Sequence, residues 1–549
     1  MALSKPADAA NLIIHIMRKD WKLLWPLALL VTAIQILLGW LSFRWGYFGE
    51  DFVARTLFPA LSAAWNLGIA ALVVATVHQD PIPGISQDWL IRPVRRRDLL
   101  CAKVLFVIAT ISVPMLVVDL INARAAGFTL SQALGPATVK EIYILLTLVV
   151  PLLALASVTE NWPQIVLGAA ILVVLFALCL IGASFAIGPG RCPTCGTGLR
   201  WIQSLLEHGA VLVGALLILG LQYFHRQTSW ARGLIAGGLI LFALVQLPWN
   251  LAFAIQQRLS AAPGDATAVA IAFDPTAEKA VIAPSRPASV MGAAVAAHAL
   301  LRGNTDDIAE FLRRRALSDA ARVTFALPLR ITGVPDGAEL QVDRSEYRLL
   351  GPGDRILYDA ANGGERAGLD IASGAGTSHQ MIEVPVALYR QWAQRPVRVE
   401  ITYSLTLLRA TGTYAMAATA GYLDSRELGR CASRLNSDTT KINVRCRQVG
   451  LGPTCVAATL EGPTGRRNPE TQDCTPDYRP FAVLGAVPLS IFGVDVPVRD
   501  NTGLVEYPVP SAQIPESRLL LSPYSVRDHF MRTLMTPALM LAEWQAQLR

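Results

Sequence analysis

The chain has 549 residues, of which 53% are hydrophobic and only 16% are charged, and its net charge is +7. Soluble domains carry about 25% charged residues, so this composition excludes an ordinary soluble protein and indicates a membrane protein. The positive charge does not indicate nucleic-acid binding, because no basic face with interleaved aromatic residues occurs and much of the charge lies in short loops.

Residues 1–23 are predicted to form a cytoplasmic amphipathic helix in the membrane interface. Leu12, Ile13, Ile16 and Met17 recur at helical spacing, and polar and basic residues occupy the other side. The apolar stretch that follows is too long for a cleavable signal peptide, and no small-residue cleavage site closes it.

Seven later segments are apolar and long enough to cross a bilayer as helices. They are predicted at residues 24–43, 57–77, 101–121, 141–158, 164–187, 208–224 and 231–255. Residues 24–226 then form a six-span transmembrane domain, and residues 227–255 add a seventh helix. Glu160 and Asn161 are expected to cap the tight hairpin between the fourth and fifth spans.

Positive charges near the ends of the spans predict the orientation. The predicted cytoplasmic side carries Lys5, Arg18, Lys19, Lys22, Arg92, Arg95, Arg96, Arg97, Arg226 and Arg232, and the other side carries Arg44, Arg55, Arg124, Lys140, Arg191 and Arg200. This bias places the N-terminus in the cytoplasm and residues 256–549 outside it. We expect a multi-pass protein of a cell membrane, most simply the cytoplasmic membrane of a bacterium.

The loop between the second and third spans has the character of a docking element. The turn formers Pro81, Pro83 and Gly84 precede Trp89, and a basic stretch then begins a new helix. An aromatic residue beside arginines is typical of a protein contact. The alternative interpretation is a plain topology signal without a partner.

Asp119 is the carboxylate that the pattern places at membrane depth, near the outer end of the third span. An ionisable residue at that depth is a candidate functional group. Because Arg124 and the interface follow closely, a helix-end role is the alternative.

Six of the eight cysteines fall outside the cytoplasm under this topology, which favours disulfide bonds. They are Cys192, Cys195, Cys431, Cys446, Cys455 and Cys474. The last four are grouped in a loop-rich stretch and permit three pairings. The Cys-x-x-Cys pair at 192 and 195 is interpreted as a structural disulfide, with a redox or zinc pair as the alternative.

Residues 256–549 have a soluble composition and are predicted to form a β-rich, sandwich-like domain with flanking helices. Alternating runs with β-branched residues predict strands at 323–331, 339–343, 347–350 and 397–408. Helices are expected at 297–318 and, as an amphipathic tail, at 525–549.

Motifs for catalysis are absent from the sequence. No Gly-Lys dipeptide occurs, so there is no phosphate-binding loop and any ATP hydrolysis must belong to another chain. Neither His-Glu-x-x-His nor Gly-x-Ser-x-Gly occurs, and the seven histidines show no metal-ligand spacing. No catalytic residue, metal or cofactor is therefore predicted.

Taken together, these features resemble the type-2 ABC transporter permeases. An interfacial helix and two spans precede a loop that reads Gln-Asp-Trp-Leu-Ile-Arg-Pro-Val-Arg-Arg-Arg-Asp-Leu-Leu-Cys-Ala-Lys at 87–103, and four further spans follow. In that family a Trp, Arg-Pro, a basic residue, Leu-Leu and Lys mark the loop that carries the coupling helix. The resemblance covers roughly residues 8–226, and the seventh span and external domain depart from it.

The resemblance implies a role and a partner. Carried over, the loop that docks on a separate ABC ATP-binding subunit comprises Asp88, Trp89, Arg92, Pro93, Arg95, Arg96 and Arg97. The chain is then the non-enzymatic permease of an exporter, pairing as a homodimer or heterodimer in membrane lipid. The alternatives are a non-transporting protein that displays its external β domain for sensing or envelope binding, and a membrane enzyme, which the missing motifs disfavour.

Overall fold

The computed structural model describes the greater part of the chain as two compact units. The described residues are 6–44, 52–80, 96–168, 170, 171, 174, 200–225, 227–244, 249–277, 281–282, 322–363, 376–436, 440–449, 455–468, 470–474, 489–499, 507–544 and 547–548. The first unit comprises 1–188, 200–247 and 411–524, and the second comprises 189–199, 248–410 and 525–549. This division differs from the predicted one, because residues 411–524 belong with the helices rather than with the rest of the part predicted to be external.

Long apolar helices form the N-terminal part of the first unit. They are α1 (Pro6–Arg44), α2 (Phe52–His78), α3 (Arg96–Ala125), α4 (Leu130–Ser157), α5 (Arg200–Gly220) and α6 (Thr228–Leu244). Among the described residues, five helices are long and apolar enough to cross a membrane, those at Asn11–Leu41, Leu57–His78, Arg96–Ala125, Leu130–Ser157 and Ile202–His225. The prediction of a membrane part with several spans is therefore confirmed.

Two of the seven predicted spans are not described as continuous helices. The fifth, 164–187, lies largely outside the described residues. The seventh, 231–255, falls on α6 and on α7 (Trp249–Arg258), and residues 245–248 between them lie outside the described part. Where the fifth segment begins, Gln164 N–H donates to Asn161 Oδ1 at 3.1 Å, so the predicted cap by Asn161 is present.

The N-terminal segment differs from its predicted division into an interfacial helix and a span. The structure has one continuous helix, α1, and Pro26 lies inside it without ending it. Asp20, within the predicted interfacial helix, is fully buried, and Ile16 and Leu24, one turn before and after it, are buried as well. A carboxylate therefore lies on the buried face of this helix, which composition alone does not reveal.

Both α3 and α4 contain a π-helical turn that is followed, after one intervening residue, by a proline. The turns are Ile108–Ser112 and Leu145–Val149, and Pro114 and Pro151 follow them. A proline lacks an N–H and its ring crowds the carbonyl four residues earlier, so a wider turn accommodates it without breaking the helix. Both helices consequently remain continuous across their prolines.

The β strands of the first unit build two sheets around one core. One sheet has the order β14 (Leu489–Pro497), β11 (Lys441–Val449), β10 (Gly429–Leu435), β9 (Tyr422–Ser425). Facing it are β12 (Cys455–Glu461), β13 (Thr471–Cys474), β8 (Tyr414–Ala417) and the start of β15 (Arg518–Met535). Buried side chains from both sheets share one apolar cluster. This is sandwich-like packing.

The second unit has its own two-sheet core. One sheet runs β1 (Ala270–Phe273), β3 (Arg322–Thr332), β6 (Gly376–Pro385), and the other contains β7 (Arg398–Ala410), β4 (Ala338–Leu350) and β5 (Ile356–Gly363). Their inward side chains form a single apolar cluster. The short strands β2 (Val281–Ile282) and β16 (Gln547–Leu548) pair in parallel, and α8 (Val386–Trp392) follows β6.

The β-rich character predicted for the external part is confirmed, with two differences. The strands predicted at 339–343 and 347–350 are one strand, β4, with a register shift between Val342 and Arg344. The tail predicted as a helix is instead β15 followed by a short 3-10 turn, Leu541–Trp544. The helical spacing in the tail was misleading because β15 is paired over most of its length, and pairing overrides local propensity. The helix predicted at 297–318 lies outside the described residues.

Candidate functional site

The predicted docking residues fall into two groups. Those outside the described residues are Asp88, Trp89, Arg92, Pro93 and Arg95. Arg96 and Arg97 form the first turn of α3, and the Arg97 guanidinium lies over the Phe224 ring, 5.2 Å from its centroid. The described part of this site is therefore its base, where the loop leaves α2 and enters α3.

Four charged side chains meet at that base, and we call Lys19, Asp20, Asp80 and Lys103 the loop-base cluster. The Lys103 ammonium donates to Asp20 Oδ2 and to Asp80 Oδ2, each at 2.8 Å. The Lys19 ammonium donates to both Asp80 oxygens, at 2.6 and 2.8 Å. Asp80 is the last described residue before the loop, so the loop starts at a residue tied to both α1 and α3.

The loop-base cluster combines deep burial with balanced charge. Lys103 is 1% and Asp20 0% exposed, whereas the Asp80 and Lys19 side chains are 16% and 38% exposed. Two ammonium groups face two carboxylates, so the cluster is neutral when all four are ionised. Burial acts to raise the pKa of Asp80, but Lys103 and Lys19 outweigh it and hold that pKa below its usual value.

Sequence reasoning missed this cluster. Lys19 was counted as a topology charge, and Lys103 entered only as the last residue of the family-like loop. A usable signal was present, because Asp20 and Lys103 each adjoin a long apolar segment, where an unpaired charge is costly. Their pairing across 83 positions is visible only in the fold.

Asp119, the predicted intramembrane carboxylate, belongs to a second buried cluster. Its Oδ2 accepts from Lys140 Nζ at 2.8 Å, and the Asp119 and Lys140 side chains are 0% and 9% exposed. The Glu141 carboxyl interacts with both of them. We call Asp119, Lys140 and Glu141 the midhelix cluster. Lys140 was predicted to lie in an outer loop, but it is inside α4. The basic partner of Asp119 is therefore Lys140, whereas Arg124, the basic residue near it in sequence, is exposed.

The predicted disulfide bonding is confirmed for Cys431, Cys446 and Cys455. Cys431 and Cys446 face each other on β10 and β11 and form a disulfide bond. Cys455 is also disulfide-bonded, and Cys474 is the residue opposite it in the antiparallel register of β12 and β13. Cys192 and Cys195 lie outside the described residues, so their pairing stays a prediction.

Within the first unit, the β part contacts the turn between α3 and α4. Arg430 of β10 donates from Nη1 to the Ala126 carbonyl at 2.6 Å, and its guanidinium lies 5.8 Å from the centroid of the Phe128 ring. Gly127 has φ +87°, and a Cβ there would collide with the Arg430 guanidinium. Glycine is thus required both for the backbone conformation and for the close approach.

Among the described residues, no group of three or more His, Cys, Asp or Glu side chains is arranged to hold a metal ion. No protein-family model, no curated protein and no solved structure matches the chain. The features that bear on function are thus the two charge clusters, the helices that carry them, and the arginine-rich segment that follows Asp80 in the sequence.

Proposed function

We propose that this chain is the membrane-spanning permease subunit of an ABC-type exporter, driven by ATP hydrolysis in a separate subunit. The observation that carries the proposal is the loop-base cluster, which lies at the start of the arginine-rich loop. That loop resembles the docking loop of type-2 ABC permeases, and its base is built to connect it to the helices.

A docking loop can move helices only if its ends are attached to them. Asp80 joins the start of the loop to α1 through Lys19 and to α3 through Lys103, and it directly follows α2. A displacement of the loop therefore acts on three helices together. Because water screens buried charges little, the attraction between Lys103 and Asp20 is stronger than that of a surface pair.

The loop itself carries the residue types that a protein partner needs. Trp89 is a large aromatic anchor, and Arg92 and Arg95 supply positive charge beside it. Anchors of this kind contribute most of the binding energy at interfaces, and surrounding charges chiefly steer association. A partner surface with an apolar pocket and acidic rim fits this pattern. Pairing with a second permease, identical or not, completes the proposed assembly.

The test is gentle extraction of the intact protein from its native membrane, followed by purification and identification of what accompanies it. The wild type should bring down an ATP-binding subunit, and Trp89→Ala should lose it, since truncating an anchor costs roughly 2 kcal/mol or more. Trp230→Ala is the matched control, because Trp230 is 72% exposed and lies on the same predicted side. Arg96→Glu should weaken binding less, and chiefly at low salt, where exposed charges are screened least.

Two outcomes would contradict the proposal. If the wild type brings down no ATP-binding subunit, the exporter assignment is wrong and the display protein takes its place. If Trp89→Ala retains the subunit as well as Trp230→Ala does, docking occurs elsewhere and the family-like loop loses its assigned role.

A further inference from the structure

The midhelix cluster contains one more acidic group than it has basic groups. Asp119 and Glu141 face a single ammonium, that of Lys140, which is 2.8 Å from Asp119 Oδ2. If all three groups were ionised, the cluster would carry one uncompensated negative charge. Asp119 is 0% and Glu141 5% exposed, so that charge would be deeply buried, which is strongly unfavourable without a counter-charge.

Three oxygens of the cluster also lack a hydrogen-bond donor. Asp119 Oδ1 and both Glu141 oxygens are buried without a partner in the part of the chain that the structure describes. The Glu141 carboxyl nevertheless lies within hydrogen-bonding reach of Asp119. Two carboxylates cannot bond each other, since both only accept, whereas a carboxylic acid donates to a carboxylate.

We propose that the midhelix cluster is an intramembrane proton-binding site, in which Glu141 is protonated and its O–H donates a hydrogen bond to Asp119 Oδ1. Glu141 is the acid because Asp119 already accepts from Lys140, which favours the ionised form of Asp119. One proton supplies the missing donor and removes the excess charge at once. The inference does not depend on the exporter proposal.

A proton fits the site better than a metal cation does. A bound cation would lie close to the Lys140 ammonium, which repels it, and it needs several oxygen ligands at once. The proton requires no cavity, and it is held between two groups already in contact. Asp119 lies six residues before the end of α3, about 9 Å along the axis, so exchange with water on that side spans a short distance.

Among the described residues, the surroundings of the cluster add no further basic group to balance it. Between residues 23 and 41, α1 has no charged residue, and it approaches α3 closely at Gly39, where a Cβ would collide with Asn122. On α5, Glu207 accepts from Gln203, and His208 bonds Ser204 and Tyr143. In the part of the chain that the structure describes, the charged groups acting on Asp119 and Glu141 are Lys140 and each other.

Infrared difference spectroscopy of the full chain in lipid vesicles tests this, because a buried protonated carboxyl has its own carbonyl band. The wild type at neutral pH should show that band, shifted by D₂O. Glu141→Gln and Asp119→Asn should each remove it, since one carboxyl then pairs with Lys140 and ionises. Lys140→Met should instead about double the band, because both carboxyls must then be protonated. The matched control, Glu160→Gln, alters an exposed carboxyl and should change nothing.

Other results would overturn the inference. Absence of the band in the folded wild type means that Glu141 is ionised. A band that appears only when sodium and potassium are removed means that the site binds a cation and not a proton. If Lys140→Met does not fold, the two amide variants still decide the matter, because each preserves side-chain shape. Retention of the band in both of them assigns the proton elsewhere.

Discussion

The two buried charge clusters are built from the same residue types but differ in balance. The loop-base cluster sets two lysines against two aspartates, and three of its four carboxylate oxygens accept from an ammonium. The midhelix cluster sets one lysine against two carboxyls, and within the described part of the chain three of its four carboxylate oxygens have no donor. The two clusters also differ in position, because Asp80 lies at the start of the arginine-rich loop, whereas Asp119 lies within α3.

This difference separates a structural connection from a site that can change state. A balanced cluster gains nothing by releasing or binding a proton, so it holds its helices in one arrangement. An unbalanced cluster in a low-dielectric environment must bind a counter-charge, and a proton is the simplest. The following predictions test this difference directly or compare it with features outside the two clusters.

The largest effect is expected from Lys103→Met. It leaves Asp20 buried without its partner, and breaking a buried pair from one side costs about 3–5 kcal/mol. Thermal unfolding in detergent measures the loss. Lys19→Met is the control, because Lys19 is 38% exposed and its loss should be much smaller. Equal losses would mean that burial does not set the strength of this cluster.

The Cys431–Cys446 disulfide provides a reference in which charge has no part. Replacing both cysteines by alanine should lower stability by about 3 kcal/mol, as the cross-link spans 15 residues. The loss should be the same from pH 5 to pH 8, unlike that of any titrating group. Cys101→Ala, which alters an exposed free thiol, should leave the unfolding temperature unchanged. A pH-dependent loss in the double variant would argue for a coupled titration.

A titrating group outside the membrane helices sharpens the comparison. His529 is buried beside Thr406 Oγ1 (2.8 Å) and Gln256 Nε2 (3.1 Å), with Asp343 and Asp528 near them. Burial lowers the pKa of His529 to about 4, although Asp528 opposes this. The unfolded chain, with a histidine pKa near 6.5, binds more protons between these values.

Stability of the second unit should therefore be complete above pH 6.5 and fall as the pH drops toward 4, by roughly 3 kcal/mol. Unfolding followed by tryptophan fluorescence at several pH values measures this. His529→Gln should flatten the dependence over that window. If the variant keeps the wild-type slope, another group is responsible for the acid sensitivity.

The smallest effect is expected from Glu141→Gln. If Glu141 is already protonated, an amide of the same shape donates in its place, and stability at pH 7 should change by no more than about 1 kcal/mol. The matching change in the other cluster, Asp20→Asn, should be clearly destabilising, because it removes a charge that Lys103 needs. Comparable losses in the two variants would indicate that both clusters are fully ionised.

Several features could be predicted from residues alone because they depend on local pattern. Long apolar segments predicted the membrane part, and alternating residues predicted β3 and β7 nearly to their ends. The cysteine grouping predicted disulfides, and Asp119 stood out because a carboxylate in an apolar segment is rare. The tail was misjudged, because pairing in β15 overrides local periodicity, and the burial of Asp20 depends on helix packing that no local pattern records.

The sequence by itself determined that this chain has an apolar helical part, a β-rich part, disulfide bonds and an arginine-rich loop between two spans. Tertiary structure decided which charges meet. Lys103 joins Asp20 across 83 positions, and Lys140 joins Asp119 across 21. Such pairings depend on which helix faces turn toward each other, and that is set by packing among many side chains. A local pattern records that a charge is unusual, but only the fold supplies its partner.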